Sequence, residues 1–271
     1  MQDRDALTTL TWLVEAGADE AVAEAPVNRL MTKPPAPAAP VPAVPRAAAP
    51  RTAPLPAPAA GDDAIGDAMR AAAAANNLQE LKAAMEAFEG SALKRAATNT
   101  VFADGTPGGR VMFIGEAPGR DEDRIGKPFV GRAGQLLDKM LASIDLDRSR
   151  NCYITNVINW RPPDNRDPSP EEAAICLPFL RRHIELANPG VIILLGAVAA
   201  RHVMGITEGI MRTRGRWLDY RVGDAMVPVM PTLHPAYLLR QPAHKKLAWR
   251  DLQAVASRME SLGLPEPVRA G

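Results

Sequence analysis

Four short apolar runs, Val111–Gly115, Tyr153–Val157, Val191–Leu195 and Val227–Leu233, constrain this chain more than anything else in it. Each has strand length and is mostly apolar rather than alternating, the pattern of a strand buried on both faces of a parallel sheet. Between the runs lie segments of helical period. Arg132 to Ile144 carries Leu136, Leu137, Met140 and Leu141 at helical spacing. Ser169-Pro170-Glu171-Glu172 supplies an N-cap, a proline at the first helical position and an acidic third residue for a helix running to about Ala187. A shorter helix follows Gly196, and a last one spans about Lys245 to Leu262, stopped by Gly263 and Pro265. Parallel strands need crossovers that cover both faces. The expected fold class is therefore α/β, a three-layer α/β/α sandwich around a mostly parallel four-stranded central sheet.

In an open parallel sheet ligands bind beyond the carboxyl ends of the strands, so the residues following each run are the ones to inspect. They are polar. The first run ends in Gly115-Glu116-Ala117-Pro118-Gly119, the second at Thr155-Asn156, the third at Gly196-Ala197 and the fourth in Thr232-Leu233-His234-Pro235. A carboxylate, a carboxamide and an imidazole converge on one sheet edge, which marks a site. No P-loop and no G-x-G-x-x-G cradle follows the first strand, which disfavours a nucleotide-phosphate enzyme.

Gly115-Glu116-Ala117-Pro118-Gly119, with Glu122-Asp123, Gly126, Pro128-Phe129-Val130-Gly131 and Ala133-Gly134 behind it, resembles the first motif of the family 4 uracil-DNA glycosylases. Tyr153-Ile154-Thr155-Asn156-Val157 leading to Arg161-Pro162-Pro163, Asn165-Arg166, Pro168 and Pro170 resembles their second block, and His234-Pro235-Ala236 with Leu238-Leu239-Arg240 their last. The resemblance runs from about Phe88 to Leu252. It implies an enzyme that flips deoxyuridine out of DNA and hydrolyses its glycosidic bond. By that resemblance Glu116, His234 and Glu122 are catalytic candidates, with the division of labour between the two carboxylates open. Ala117, Phe129 and Asn156 would contact the base, Phe129 by stacking and Asn156 by reading its edge. Arg161 and Arg166 would meet phosphates, and Leu238, Leu239 and Arg240 would push into the duplex. The other histidines, His183, His202 and His244, read as ordinary helix-face residues. In the branch of the superfamily trapped covalently on uracil-DNA, Gln follows the first-motif Glu and an added loop supplies a histidine. Here Ala117 follows Glu116 and no histidine lies between Cys152 and His183, so turnover is expected. The rival is a module that binds uracil or damaged bases without cleavage.

Family members typically hold a [4Fe-4S] cluster on four cysteines. Three of the corresponding positions are here Phe88, Ser91 and Trp160, and only Cys176 remains. The expectation is a protein without cluster or other metal, in which Phe88 and Trp160 fill the space by apolar packing. Cys152 and Cys176 are the only cysteines in the sequence, too few for a disulfide framework or a four-cysteine zinc site.

Charge is uneven along the chain. Residues 1 to 90 carry 7 Lys and Arg against 12 Asp and Glu, the remainder 25 against 19, so the formal +1 divides into −5 and +6. The second part is the one suited to a polyanion, though +6 alone identifies no DNA binder. Residues 1–32 read as a short acidic helical segment with Leu7, Leu10 and Leu13 on one side. Residues 33–61, with ten prolines between Pro34 and Pro58, read as a disordered Pro/Ala-rich linker able to span about 75 Å. Residues 62–271 would form the catalytic domain, beginning with a helix capped by Asn77 and Glu80. The arm suggests docking onto a repair or replication protein. The acidic start and the lack of any apolar run near the roughly 20 residues of a membrane span point to a soluble cytoplasmic protein with no membrane partner. The resemblance implies uracil-containing DNA as the partner, and the protein is expected to be a monomer.

Overall fold

The computed structural model describes residues 62 to 265; the expected N-terminal helix and Pro/Ala-rich linker lie outside the described residues. Six strands, β1 (Asp104–Gly105), β2 (Val111–Gly115), β3 (Tyr153–Asn156), β4 (Val191–Leu195), β5 (Leu218–Val222) and β6 (Ala225–Thr232), form one sheet in the order β1-β3-β2-β4-β6-β5. The four inner strands are the four apolar runs, and all pair in parallel. The sheet is wider than the four strands expected, because β1 and β5 are added antiparallel at its edges. Neither carries the signature of a buried strand. β1 is two residues long, and along β5 half-buried and exposed residues alternate. An edge strand with one solvated face does not need a continuous apolar run.

The helices are α1 (Asp62–Ala74), α2 (Leu78–Ala87), α3 (Ala92–Ala96), α4 (Arg120–Ile125), α5 (Arg132–Ala142), α6 (Pro170–Ala187), α7 (Ala197–Met204), α8 (Ile210–Thr213), α9 (Pro235–Arg240) and α10 (Lys245–Ser261). Alternate residues of each inner strand face opposite layers. Met112, Ile114, Ile192, Leu194 and Val229 join Ala68 of α1, Leu81 and Met85 of α2, Leu180 and Ile184 of α6 and Ala199 of α7. Val111, Phe113, Ile193, Leu195 and Met230 join Leu137 and Leu141 of α5 and Leu252, Val255 and Met259 of α10. Both faces are therefore covered, the condition that permits strands apolar on every residue. Each fully buried Leu or Ile contributes about 1.5–3 kcal/mol relative to exposure.

Local signals set the element ends. Asn77 accepts the amide of Glu80 at 2.8 Å and caps α2. Ser169 and Glu172 form a reciprocal capping box, with amide-to-side-chain distances of 2.8 and 3.2 Å, and Pro170 occupies the first helical position of α6. On α10, Asp251 accepts the Thr232 hydroxyl at 2.6 Å and binds the Arg214 guanidinium, fastening that helix beneath the end of β6.

The box at α6 ends the proline-rich loop between β3 and that helix. Ser169→Ala should lower unfolding free energy by about 1 kcal/mol, read as a lower denaturant midpoint at unchanged slope. An unchanged midpoint would mean that the cap does not help hold α6.

Candidate functional site

The parallel register aligns the strand ends. Gly115 pairs with Asn156 and Leu195 with Thr232, so the residues that follow β2, β3 and β6 emerge side by side. Beyond them lies a cavity of about 470 Å³, within the range of small-molecule sites. Glu116, Ala117, Glu122, Phe129, Asn156, Arg166, His234 and Arg240 all line it. Seven linings were not singled out as site residues in the sequence: Pro118, Gly119, Ala133 and Ala236, beside the expected residues, and Pro162, Asn165 and Asp167 from the loop after β3.

Asn156 is buried, and its Oδ1 has no hydrogen-bond partner among the described residues. A buried acceptor left unpaired costs about 1–3 kcal/mol, a cost that a ligand donor would remove. The neighbouring Gly115 admits no side chain, because a Cβ there would stand 2.5 Å from both Asn156 Oδ1 and Phe129 Cζ. The carboxamide and the aromatic ring therefore meet over a bare backbone. Phe129 lies with its ring centroid 5.5 Å from that of His234, tilted by 34°.

His234 caps α9. Pro235 has no amide hydrogen, so the first available helix donor is Ala236 N, which His234 Nδ1 accepts at 3.1 Å. A neutral ring held in this way carries its proton on Nε2. Burial, with the nearby Arg240 cation, brings the imidazole down to about 4 from 6.5, so at neutral pH it is an uncharged Nε2–H donor. Glu116 is shifted the other way. Burial, reinforced by the Asp167 carboxylate and only partly opposed by Arg201, raises its carboxyl above the usual range.

Other expected site residues divide. Glu122 is a backbone anchor: its carboxylate accepts the amides of Gly119 at 3.1 Å, Val130 at 3.0 Å and Gly131 at 2.9 Å. With three backbone amides on its carboxylate, Glu122 holds the loop that follows β2, while Glu116, like it, lines the cavity. Leu238 does not stand ready to enter a duplex; it is 1% exposed and packed in the core between α5 and α10, while Leu239 at 37% and Arg240 face outward. On a helix, adjacent positions face different ways, so the three cannot all project. Arg161 lines a neighbouring concavity with Arg120 and Arg132, its Nε 2.7 Å from Asn165 Oδ1. Arg166 forms a fork with Glu172 at 2.8 and 2.6 Å. His183 lies on the buried face of α6, stacked on Phe102 at 4.2 Å and hydrogen-bonded to the Tyr153 hydroxyl at 2.9 Å.

Phe88, Trp160 and Phe179 form an aromatic block beside the start of the Arg161–Asp167 loop, with centroids 5.2 to 6.5 Å apart. Trp160 Nε1 donates to Thr100 Oγ1 at 2.9 Å. Ser91 and Cys176 are fully buried in the same layer, and burial pushes the Cys176 thiol up to about 12. Among the described residues no three His, Cys, Asp or Glu side chains are grouped to hold a metal ion.

The family model for the uracil DNA glycosylase superfamily matches residues 102–253. The type-4 uracil-DNA glycosylase of Thermotoga maritima is 41% identical over 169 residues, covering 61% of this chain and 86% of that relative. That of Archaeoglobus fulgidus is 44% identical over 154 residues, 55% of this chain and 77% of the relative. That of Sulfurisphaera tokodaii is 36% identical over 185 residues, 66% and 84% respectively.

Because the unfolded chain binds a proton on His234 near 6.5 that the folded site refuses down to about 4, this group's contribution to stability is present above that window and is lost as pH falls through it. Proton NMR of the free protein should show the resonance missing from His234→Gln titrating near pH 4. A midpoint at 6.5 or above would mean that the ring is not desolvated.

Proposed function

This chain belongs to the uracil DNA glycosylase superfamily and, within it, to the type-4 enzymes, and on that premise we propose how its cavity reads and releases uracil. The chain is a monofunctional DNA glycosylase: it hydrolyses the N-glycosidic bond of deoxyuridine in DNA and leaves an abasic site. The observation that carries the residue assignment is the unpaired, buried Oδ1 of Asn156 in a cavity that also holds Glu116, Phe129 and His234.

Uracil presents an acceptor at O4 and a donor at N3–H. The Asn156 amide donates to the first and its Oδ1 accepts from the second, whereas cytosine reverses both. Phe129 covers the ring face, and Ala117 contacts the base from the turn after β2. As the bond from N1 to C1′ breaks, its electron pair passes to uracil and charge gathers on O2. His234 Nε2–H donates to that oxygen, a preorganised contact worth about 3–4 kcal/mol. The sugar becomes cationic; Glu116 steadies it and orients the water whose oxygen bonds C1′, taking the released proton. Its raised affinity for protons suits that last step. Glu122 holds the backbone that carries Phe129.

Leu239 and Arg240 enter the gap that the flipped nucleotide leaves, and Arg161 and Arg166 approach phosphates, Arg166 by exchanging its Glu172 fork. Residues 62–271 are the catalytic domain of a cytoplasmic monomer. The acidic segment 1–32 on its linker 33–61 serves as a docking arm for a repair or replication protein.

Type-4 enzymes usually bind a [4Fe-4S] cluster. The residues present do not fit one: Phe88, Ser91 and Trp160 stand at three ligand positions, and aromatic rings occupy that layer. Cys176 alone cannot hold four irons. The aromatic block does the cluster's structural work of bracing the loop that lines the cavity.

Single-turnover cleavage of oligonucleotides carrying uracil in single-stranded, adenine-paired and guanine-paired contexts, read as alkali-labile breaks, tests the reading. Asn156→Asp should lose uracil preference and gain some cytosine excision, since its acceptors suit the exocyclic amine; unchanged selectivity removes Asn156 as the reader. Intact binding without breaks in the parent protein would leave a damage-binding module instead. Iron analysis of the purified protein should give far less than stoichiometric metal, and four irons per chain with visible absorbance near about 400 nm would overturn the aromatic replacement.

A further inference from the structure

The turn that carries Phe129 is gripped from two sides by groups that take no part in the chemistry. Phe129 adopts φ 55°, in the left-handed region that bulky residues avoid, so something must hold it there. On one side Glu122 accepts the amides of Val130 and Gly131. On the other, Arg148 donates to the carbonyls immediately before them: Nη1 to Pro128 O at 3.0 Å and Nη2 to Phe129 O at 2.9 Å. Arg148 is itself fixed by Asp104 at 3.1 Å and by Asp138 at 2.9 and 2.7 Å. The Phe129 carbonyl lies so close to α5 that a Cβ on Gly134 would overlap it.

We infer that Arg148 is a positioning residue for uracil excision, setting with Glu122 the plane in which Phe129 meets the base; the inference rests on the glycosylase reading given above. Phe129 touches the space beside Gly115 and Asn156 and lies against His234, so a turn released from its carbonyl side would tilt the ring away from both the reader and the donor. The Arg148 side chain is only 17% exposed, and removing it leaves the Pro128 and Phe129 carbonyls and Asp104 without their shared donor. Arg148 reaches no reacting atom in this arrangement. Its five fixed donors span two carbonyls and two carboxylates, which a lysine ammonium cannot do at once.

Arg148→Gln should speed amide exchange of Val130 and Gly131 by about tenfold or more while strand β4 stays protected, measured by hydrogen exchange on peptides covering residues 126–136. Single-turnover excision should fall roughly 10- to 100-fold with DNA affinity held within about twofold, since the loss is one of alignment. Arg148→Lys should recover part of that rate. In a Phe129→Ala background the same Arg148→Gln change should cost little further, because Arg148 acts through the ring. Unchanged exchange at Val130 and Gly131, or an equal rate loss in both backgrounds, would overturn the inference. A parent protein that leaves uracil in DNA, yet shows the local exchange response, would sink the glycosylase reading and leave the clamp standing.

Discussion

Parallel pairing in register is the constraint on which this molecule depends. Antiparallel neighbours would send successive strand ends to opposite edges of the sheet; four parallel strands send them all to one. Gly115 stands beside Asn156 and Leu195 beside Thr232, so the carboxylate, carboxamide and imidazole that follow three different strands open onto a single cavity. The register is held from both faces, since each inner strand buries alternate residues in two separate apolar layers. A slip of one residue would exchange those layers and break the alignment of the ends at the same time.

The parts of this arrangement visible in the sequence are those governed by short-range rules. A strand buried on both faces is mostly apolar along its length, and a helix that starts sharply needs a cap, so the inner strands and the start of α6 at Ser169 are legible from composition and spacing. The edge strands obey neither rule. Asp104–Gly105 is defined by its antiparallel partner Ile154 and Tyr153 rather than by its own residues. The roles of Leu238 and Glu122 were illegible for a related reason. Which of three consecutive residues in α9 faces the core, and whether a carboxylate reaches solvent or three backbone amides, depends on neighbours distant in sequence. Arg148 follows no motif at all, and only the folded chain brings it to Phe129.

The aromatic block shows how a loop with little regular structure can be held from behind. The loop after β3 contributes Pro162, Asn165, Arg166 and Asp167 to the cavity wall and has little helix or strand of its own, so its start must be fixed from behind. Trp160 does this through ring packing with Phe88 and Phe179 and one hydrogen bond to Thr100. Such a brace is built from dispersion and desolvation, and it loses contacts with any reduction in ring size.

The bond from Ala236 to His234 reaches beyond the orientation of one ring. Proline at the first position of α9 leaves that short helix with its earliest free N–H one residue later, and the imidazole takes it. The residue after His-Pro thus acts through its main chain alone, and any amino acid with an amide hydrogen would serve. A second proline there would silence the donor, release the ring to hold its proton on either nitrogen, and divide the population between one form that faces the cavity with hydrogen and one that faces it with a lone pair.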